Sequence, residues 1–301
     1  MTAREKLLAL SVAVLWGLNF PATAYALQHY PPMLAASLRF TLLAIPTLLF
    51  VPRPQIKLRW LIGTGIGLGV LQFAFLYVAM VAGMPAGLAS VVLQSSAPFT
   101  VLLAGIFLHE RLSRQQLIGV LIAVAGLSVI AWHRAQAAAL LPVLLTLCGG
   151  LGWAIGNICS RQAKAPKPIQ LTFWMSLIPP LPMLGLSLLF EGPHRIGQAL
   201  GTALTPAALP ANLGMLYIVV CASILGYGIW NSLMARHPSS QVAPWSMLVP
   251  VVGVLSSWLA FDEVPAWAEL LGGCLVVGGV LYASLRLRRR ADPVNAPVRT
   301  P

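Results

Sequence analysis

The sequence predicts an all-α membrane protein of about ten transmembrane helices, built as two inverted five-helix repeats. Three observations predict it: apolar runs long enough to cross a bilayer, basic residues gathered on one side of those runs, and internal likeness at an offset near 152 residues. Of the 301 residues, 58% are hydrophobic and 9% are charged, and the mean hydropathy is +0.83. A soluble domain carries roughly 25% charged residues, so most of this outer surface has to face lipid. The net charge of +12 is the first sign of a nucleic-acid partner when basic residues line one face. Here they sit in short clusters between apolar runs, and no nucleic-acid partner is expected.

An apolar run of roughly 20 residues crosses the hydrocarbon layer. It does so as helix, because the backbone must satisfy its own hydrogen bonds in lipid. On that basis the spans fall at 7–27, 33–51, 60–82, 86–108, 115–132, 140–160, 169–190, 212–234, 241–261 and 266–285. The first follows Arg4 and Lys6 and ends in Ala22-Thr23-Ala24-Tyr25-Ala26, which imitates a cleaved secretory signal. Its length and its counterpart in the second half favour a retained helix. The second span carries Arg39. The third holds the pairs Gly63-Gly67 and Gly65-Gly69, which permit close helix contact, as does Gly152-Gly156 in the sixth. Gly83-Met84-Pro85 is so short a link that the third and fourth spans must be antiparallel neighbours. The fourth contains Pro98 and is followed by Glu110. Ser113 and Gln116 form a capping box for the fifth, and Asp262-Glu263 before Pro265 suggests similar local capping ahead of the tenth. Trp60, Trp132 and Trp267 sit at span ends and read as interfacial anchors.

With these spans, fifteen Lys and Arg residues collect on one side of the membrane and only Arg134 and Arg195 on the other. Positive residues favour the cytoplasm, so both termini are expected there. The repeat appears in Met84-Pro85, Pro98 and Glu110 against His237-Pro238, Pro250 and Asp262-Glu263, and in Gly119 and Gly126 against Gly272 and Gly279. Trp16 with Asn19 likewise echoes Trp153 with Asn157. The expected units are residues 1–134, 135–286 and a basic tail, 287–301, lying disordered at the cytoplasmic surface. Five spans is an odd number, so the second copy enters upside down. That arrangement is the architecture of alternating-access carriers, with the site between the repeats near the midplane.

Trp16 and Asn19 share one helix face, as do Trp153 and Asn157. A buried amide is costly unless paired or wetted. Asn19, Asn157, Gln72 and Gln94 therefore either line a polar chamber or join helices by hydrogen bonds. Trp16, Trp153, Tyr227, Trp230 and Trp245 lie deeper than the anchors, as chamber wall or as packing. Pro98 and Pro250 kink matching helices, as gates or as static bends. Arg39 is the one basic residue within a span; an intramembrane charge marks a functional site by default, meeting a substrate carboxylate or reaching toward the interface. Cys148, Cys159, Cys221 and Cys274 lack metal-ligand spacing, so no metal, cofactor or catalytic centre is expected.

Leu15-Trp16-Gly17-Leu18-Asn19-Phe20, Arg39-Phe40, Gly87-Leu88-Ala89-Ser90, Glu110-Arg111-Leu112 and Leu248-Val249-Pro250-Val251-Val252-Gly253 resemble the EamA family of the drug/metabolite transporter superfamily, over nearly the whole chain to about Leu285. Residues 83–94 and Gly226-Tyr227-Gly228-Ile229-Trp230 look most like its O-acetylserine/cysteine exporters, while Ser95-Ser96-Ala97-Pro98 is less bulky than their counterpart. The resemblance implies a bacterial inner-membrane exporter of a small amino-acid metabolite, monomeric or homodimeric, with a lipid bilayer around it. Export of other amino acids, or broader drug and metabolite efflux, is the alternative within the same framework.

Overall fold

The computed structural model describes residues 1–110, 112–136, 139–237 and 239–284, with only the backbone of Ser239 and Ser240. Ten helices among them are long and apolar enough to cross a membrane: α1 (Ala3–Leu27), α2 (Pro32–Phe50), α3 (Leu58–Val81), α4 (Ala86–Phe107), α5 (Arg114–Gln136), α6 (Leu140–Ala163), α7 (Pro168–Phe190), α8 (Pro206–Arg236), α9 (Ala243–Phe261) and α10 (Trp267–Ser284). The expected spans are all present. The expected basic tail lies outside the described residues. α1 starts four residues before its apolar run because Thr2 and Glu5 form a capping box: the Thr2 hydroxyl accepts from the Glu5 N–H, and the Thr2 N–H donates to the Glu5 carboxylate.

Five helices are interrupted, and four of the interruptions form matching pairs; the fifth, a 3-10 turn at Met175–Leu177 in α7, has no counterpart in α2. α3 contains a π-helical stretch at Ile66–Leu71, and α8 contains one at Tyr217–Leu225. An offset of 152 carries 66–71 onto 218–223. α4 tightens to a 3-10 turn at Leu93–Ser95, and α9 does so over Ala243–Leu248; the same offset carries 93–95 onto 245–247. Each tight segment lies just before the matching proline, Pro98 or Pro250. Proline donates no N–H and its ring pushes on the preceding turn, so the helix cannot run regularly into it.

Glycine contacts establish the inversion. Gly119 and Gly126 occupy the positions in α5 that Gly272 and Gly279 occupy in α10. A Cβ on Gly119 would stand 2.5 Å from the Gly279 carbonyl oxygen, and one on Gly126 would stand 2.5 Å from that of Gly272. The first position of one copy thus meets the second position of the other, in both directions, which is the self-complementary pattern of a two-fold axis. It also requires α5 and α10 to run antiparallel. Matching helices of the two copies therefore point in opposite senses.

The halves interlace. α1 packs on α8 and α9 of the second half, and α6 packs on α3 and α4 of the first. α3 presents glycine to two partners at once. Gly67 lies against Gly156 of α6, where a Cβ would come within 2.3 Å of backbone nitrogen. Gly65 and Gly69 face Ile178 and Pro179 of α7. The two G-x-x-x-G combs read from the sequence are packing faces.

Candidate functional site

The π-helical stretch of α8 gathers several of the expected residues. The Trp16 indole N–H donates to the Ala222 carbonyl at 2.9 Å, and its ring lies 5.3 Å from Tyr227 and 5.2 Å from Trp230, tilted in both cases. Gly226 makes room, since a Cβ there would stand 2.6 Å from the Trp16 indole nitrogen. Ser223, next to Ala222, accepts a hydrogen bond from Nη2 of Arg39 at 3.3 Å, while Nη1 donates to the Tyr77 hydroxyl at 3.1 Å. The Ser223 hydroxyl in turn donates to the Ile218 carbonyl at 2.8 Å, so it can only accept from Arg39. Trp16 and Arg39 thus meet on adjacent residues of one turn, and Tyr227 lies one turn further on.

The environment of Arg39 is unusual. The residue is 4% exposed, its guanidinium stacks 4.2 Å from the centre of the Phe73 ring, and its Nε–H is buried without a partner. None of the ion pairs among the described residues involves it. A buried cation is normally paired or bound to an anion; this one has only neutral hydroxyls and an aromatic face.

A second group forms where α6 meets α3 and α4. Gln72 follows the π stretch of α3, and Gln94 sits in the tight segment of α4. Asn157 donates to the Thr100 hydroxyl at 3.2 Å, a bond that ties α6 to α4. Ser95 stands against α6 at Gly150, where a Cβ would meet its hydroxyl oxygen at 2.3 Å. Trp153 is half-buried against the central apolar core. Asn19, nearly one turn along α1 from Trp16, keeps its side-chain oxygen buried with no donor. Trp245 packs with Trp230 against Ala9, Leu233 and Val242, toward the end of the bundle where the N-terminus lies. Trp16, Arg39 and Tyr227 therefore converge, while Trp245 lies in the cluster that Trp230 also packs against. Gln72, Gln94, Trp153 and Asn157 belong to the α3, α4 and α6 side. The sequence did not mark Ser223, Tyr77 and Phe73: a serine, a tyrosine and a phenylalanine inside apolar runs look like packing until Arg39 is placed beside them.

Every carboxylate among the described residues lies at a helix end. Glu5 meets Arg236 at 3.8 Å and His237 at 2.8 Å; Glu110 pairs with Arg161; Glu191 accepts from the Met33 and Leu34 N–H groups at the start of α2, at 2.6 and 3.1 Å. Glu263 departs from the local capping that its position before Pro265 suggests. Both its oxygens, each at 3.1 Å, accept from the Ala86 and Gly87 N–H groups. It thereby caps α4 in the other half. At the same face, burial raises the Tyr30 phenol above its ordinary pKa, and its hydroxyl donates to Asn212.

Residues 4–132 and 140–285 match the EamA-like transporter family. The chain belongs to that family. Among the relatives of this EamA chain is a "Probable amino-acid metabolite efflux pump" of Salmonella typhimurium strain LT2, 42% identical over 97% of this chain and 99% of that one. A protein of the same description from Escherichia coli K12 is 38% identical over 96% and 98%. A "Probable terminal-alkyne amino-acid exporter" of Streptantibioticus cattleyicolor is 26% identical over 95% of each. A solved structure described as "Crystal structure of protein" superposes with a TM-score of 0.61 at 21% identity, covering 96% of this EamA chain and all of the other. That likeness shows the shared fold.

Proposed function

We propose that this EamA transporter exports small amino-acid metabolites, with O-acetylserine or cysteine as first candidates, by alternating access between its two halves. The observation that carries the reading is Arg39, a buried cation with no anionic partner among the described residues. Holding an unpaired charge there costs several kcal/mol, a cost that a bound α-carboxylate would offset by charge-assisted hydrogen bonds. The aromatic group of Trp16, Tyr227 and Trp230 offers ring faces to an ammonium, and the unpartnered oxygen of Asn19 offers it an acceptor. The paired interruptions in α3, α4, α8 and α9 supply bending points, with Pro98 and Pro250 as hinges. Two relatives named as amino-acid metabolite efflux pumps support the substrate class. The units are residues 1–134 and 135–286, and both termini face the cytoplasm of a bacterial inner membrane, on the fifteen-to-two bias of basic residues.

The test is overexpression in bacterial cells with amino acids measured in the medium. The native chain should raise external O-acetylserine or cysteine, and an Arg39→Gln variant present in the membrane at equal amount should not. Equal export by both would remove Arg39 from the site.

A further inference from the structure

Between α9, α10 and the start of α4 lies a groove of about 670 Å³. It is open to the bilayer: Leu270, Cys274 and Gly278, at i, i+4 and i+8 along α10, line it and are exposed. From Leu270 to Leu281 the apolar wall runs roughly 16 Å at a helical rise of 1.5 Å per residue, about the hydrocarbon depth of one leaflet. At the end of the groove nearest the start of α10 the lining turns ionic, with His133, Arg134, Glu263 and Glu269.

A volume of about 670 Å³ lies within the range of ligand-sized pockets. The ionic end of the groove contains both signs of charge. Arg134 reaches Glu269 at 3.7 Å, donates to the Gly83 carbonyl at 3.1 Å and keeps its Nε–H without a partner. Glu263 receives one N–H on each oxygen, which leaves each oxygen a further lone pair.

We propose that this groove binds one phospholipid whose head group carries a primary ammonium. Its acyl chain lies along Cys274, Val277 and Leu281, its phosphate faces Arg134 and His133, and its ammonium faces Glu263 and Glu269. The site accounts for Arg134, one of only two basic residues on the sparsely basic side of the membrane. A choline head group has no N–H to donate, and a glycerol head group has no positive charge, so neither satisfies both ends.

Native mass spectrometry of the full chain in detergent tests this. The protein is titrated with ethanolamine, choline and glycerol phospholipids of identical chains. One tightly held lipid is expected, with the ethanolamine form binding at least about five-fold tighter than the others. A Gly278→Leu variant should lose that lipid while keeping its melting temperature in lipid-free detergent, since a Cβ at Gly278 meets nothing within 4 Å and the side chain extends into the groove. Equal affinity for all three head groups, or retention of the lipid by Gly278→Leu, would overturn the proposal.

Discussion

Arg39 sets the terms at the scale of single residues. Its guanidinium is held by Tyr77, Ser223 and the face of Phe73, all neutral, so replacing it should separate function from stability. Arg39→Met removes a buried, unpaired charge and leaves an apolar chain of similar length. Relief of the buried charge, several kcal/mol, outweighs the roughly 1–3 kcal/mol of leaving the Tyr77 hydroxyl without its donor. The variant is expected to melt no lower than the native protein while transport falls on the order of 10- to 100-fold, the value of one or two hydrogen bonds to a charged group. Melting temperature and initial export rate, measured on one preparation, check both halves of this statement. Trp16→Phe keeps the ring among Tyr227 and Trp230 but removes the donor to the Ala222 carbonyl. A cost of about 1 kcal/mol in stability is expected from thermal unfolding in detergent.

Arg39 was legible in the sequence because a charge within an apolar run has few explanations. Asn19 and Asn157 were legible as a pair but not in their roles. Their spacing places them on equivalent helix faces, yet Asn157 ties α6 to α4 while Asn19 keeps a buried acceptor free. Only the packing of neighbouring helices distinguishes the two, and spacing along one helix carries no information about neighbours.

Among the elements, the ten spans followed from hydropathy with their ends within about six residues, since a helix in lipid has no alternative backbone partner. What hydropathy could not indicate is where the helices change pitch. The π stretches of α3 and α8 hold no proline and no unusual residue that announces them; they become visible as a matched pair only once both copies are seen. The tight segments of α4 and α9 were half legible, through Pro98 and Pro250. Pro98→Ala or Pro250→Ala restores a backbone donor, so the straightened helix should be equally or more stable while the transport rate drops several-fold; comparing rate with melting temperature tests the hinge role. Gly67→Ala forces a Cβ to within 2.3 Å of the Gly156 nitrogen, where only backbone can yield. A loss of roughly 1–3 kcal/mol is expected in thermal unfolding.

For the whole molecule, the cross-paired glycines of α5 and α10 and the mutual packing of α1 and α6 on the opposite halves describe one duplicated unit folded against its inverted copy. The offset of the repeat was readable from prolines and glycines. The interlacing was not, because it depends on contacts between helices far apart in the chain. Every described carboxylate lies at a helix end, so no described acidic side chain stands at mid-span to relay protons. Net transport in proteoliposomes should therefore proceed down a substrate gradient with no pH difference imposed.

Competition in those proteoliposomes tests the central claim, that an uncompensated buried arginine recognises the substrate's carboxylate. Uptake of labelled O-acetylserine or cysteine is measured against an excess of the same compound and against its carboxyl-neutral methyl ester. Competition by the free acid, and weak or no competition by the ester, are the predicted results. An ester that competes as well as the acid in the native protein would contradict the account.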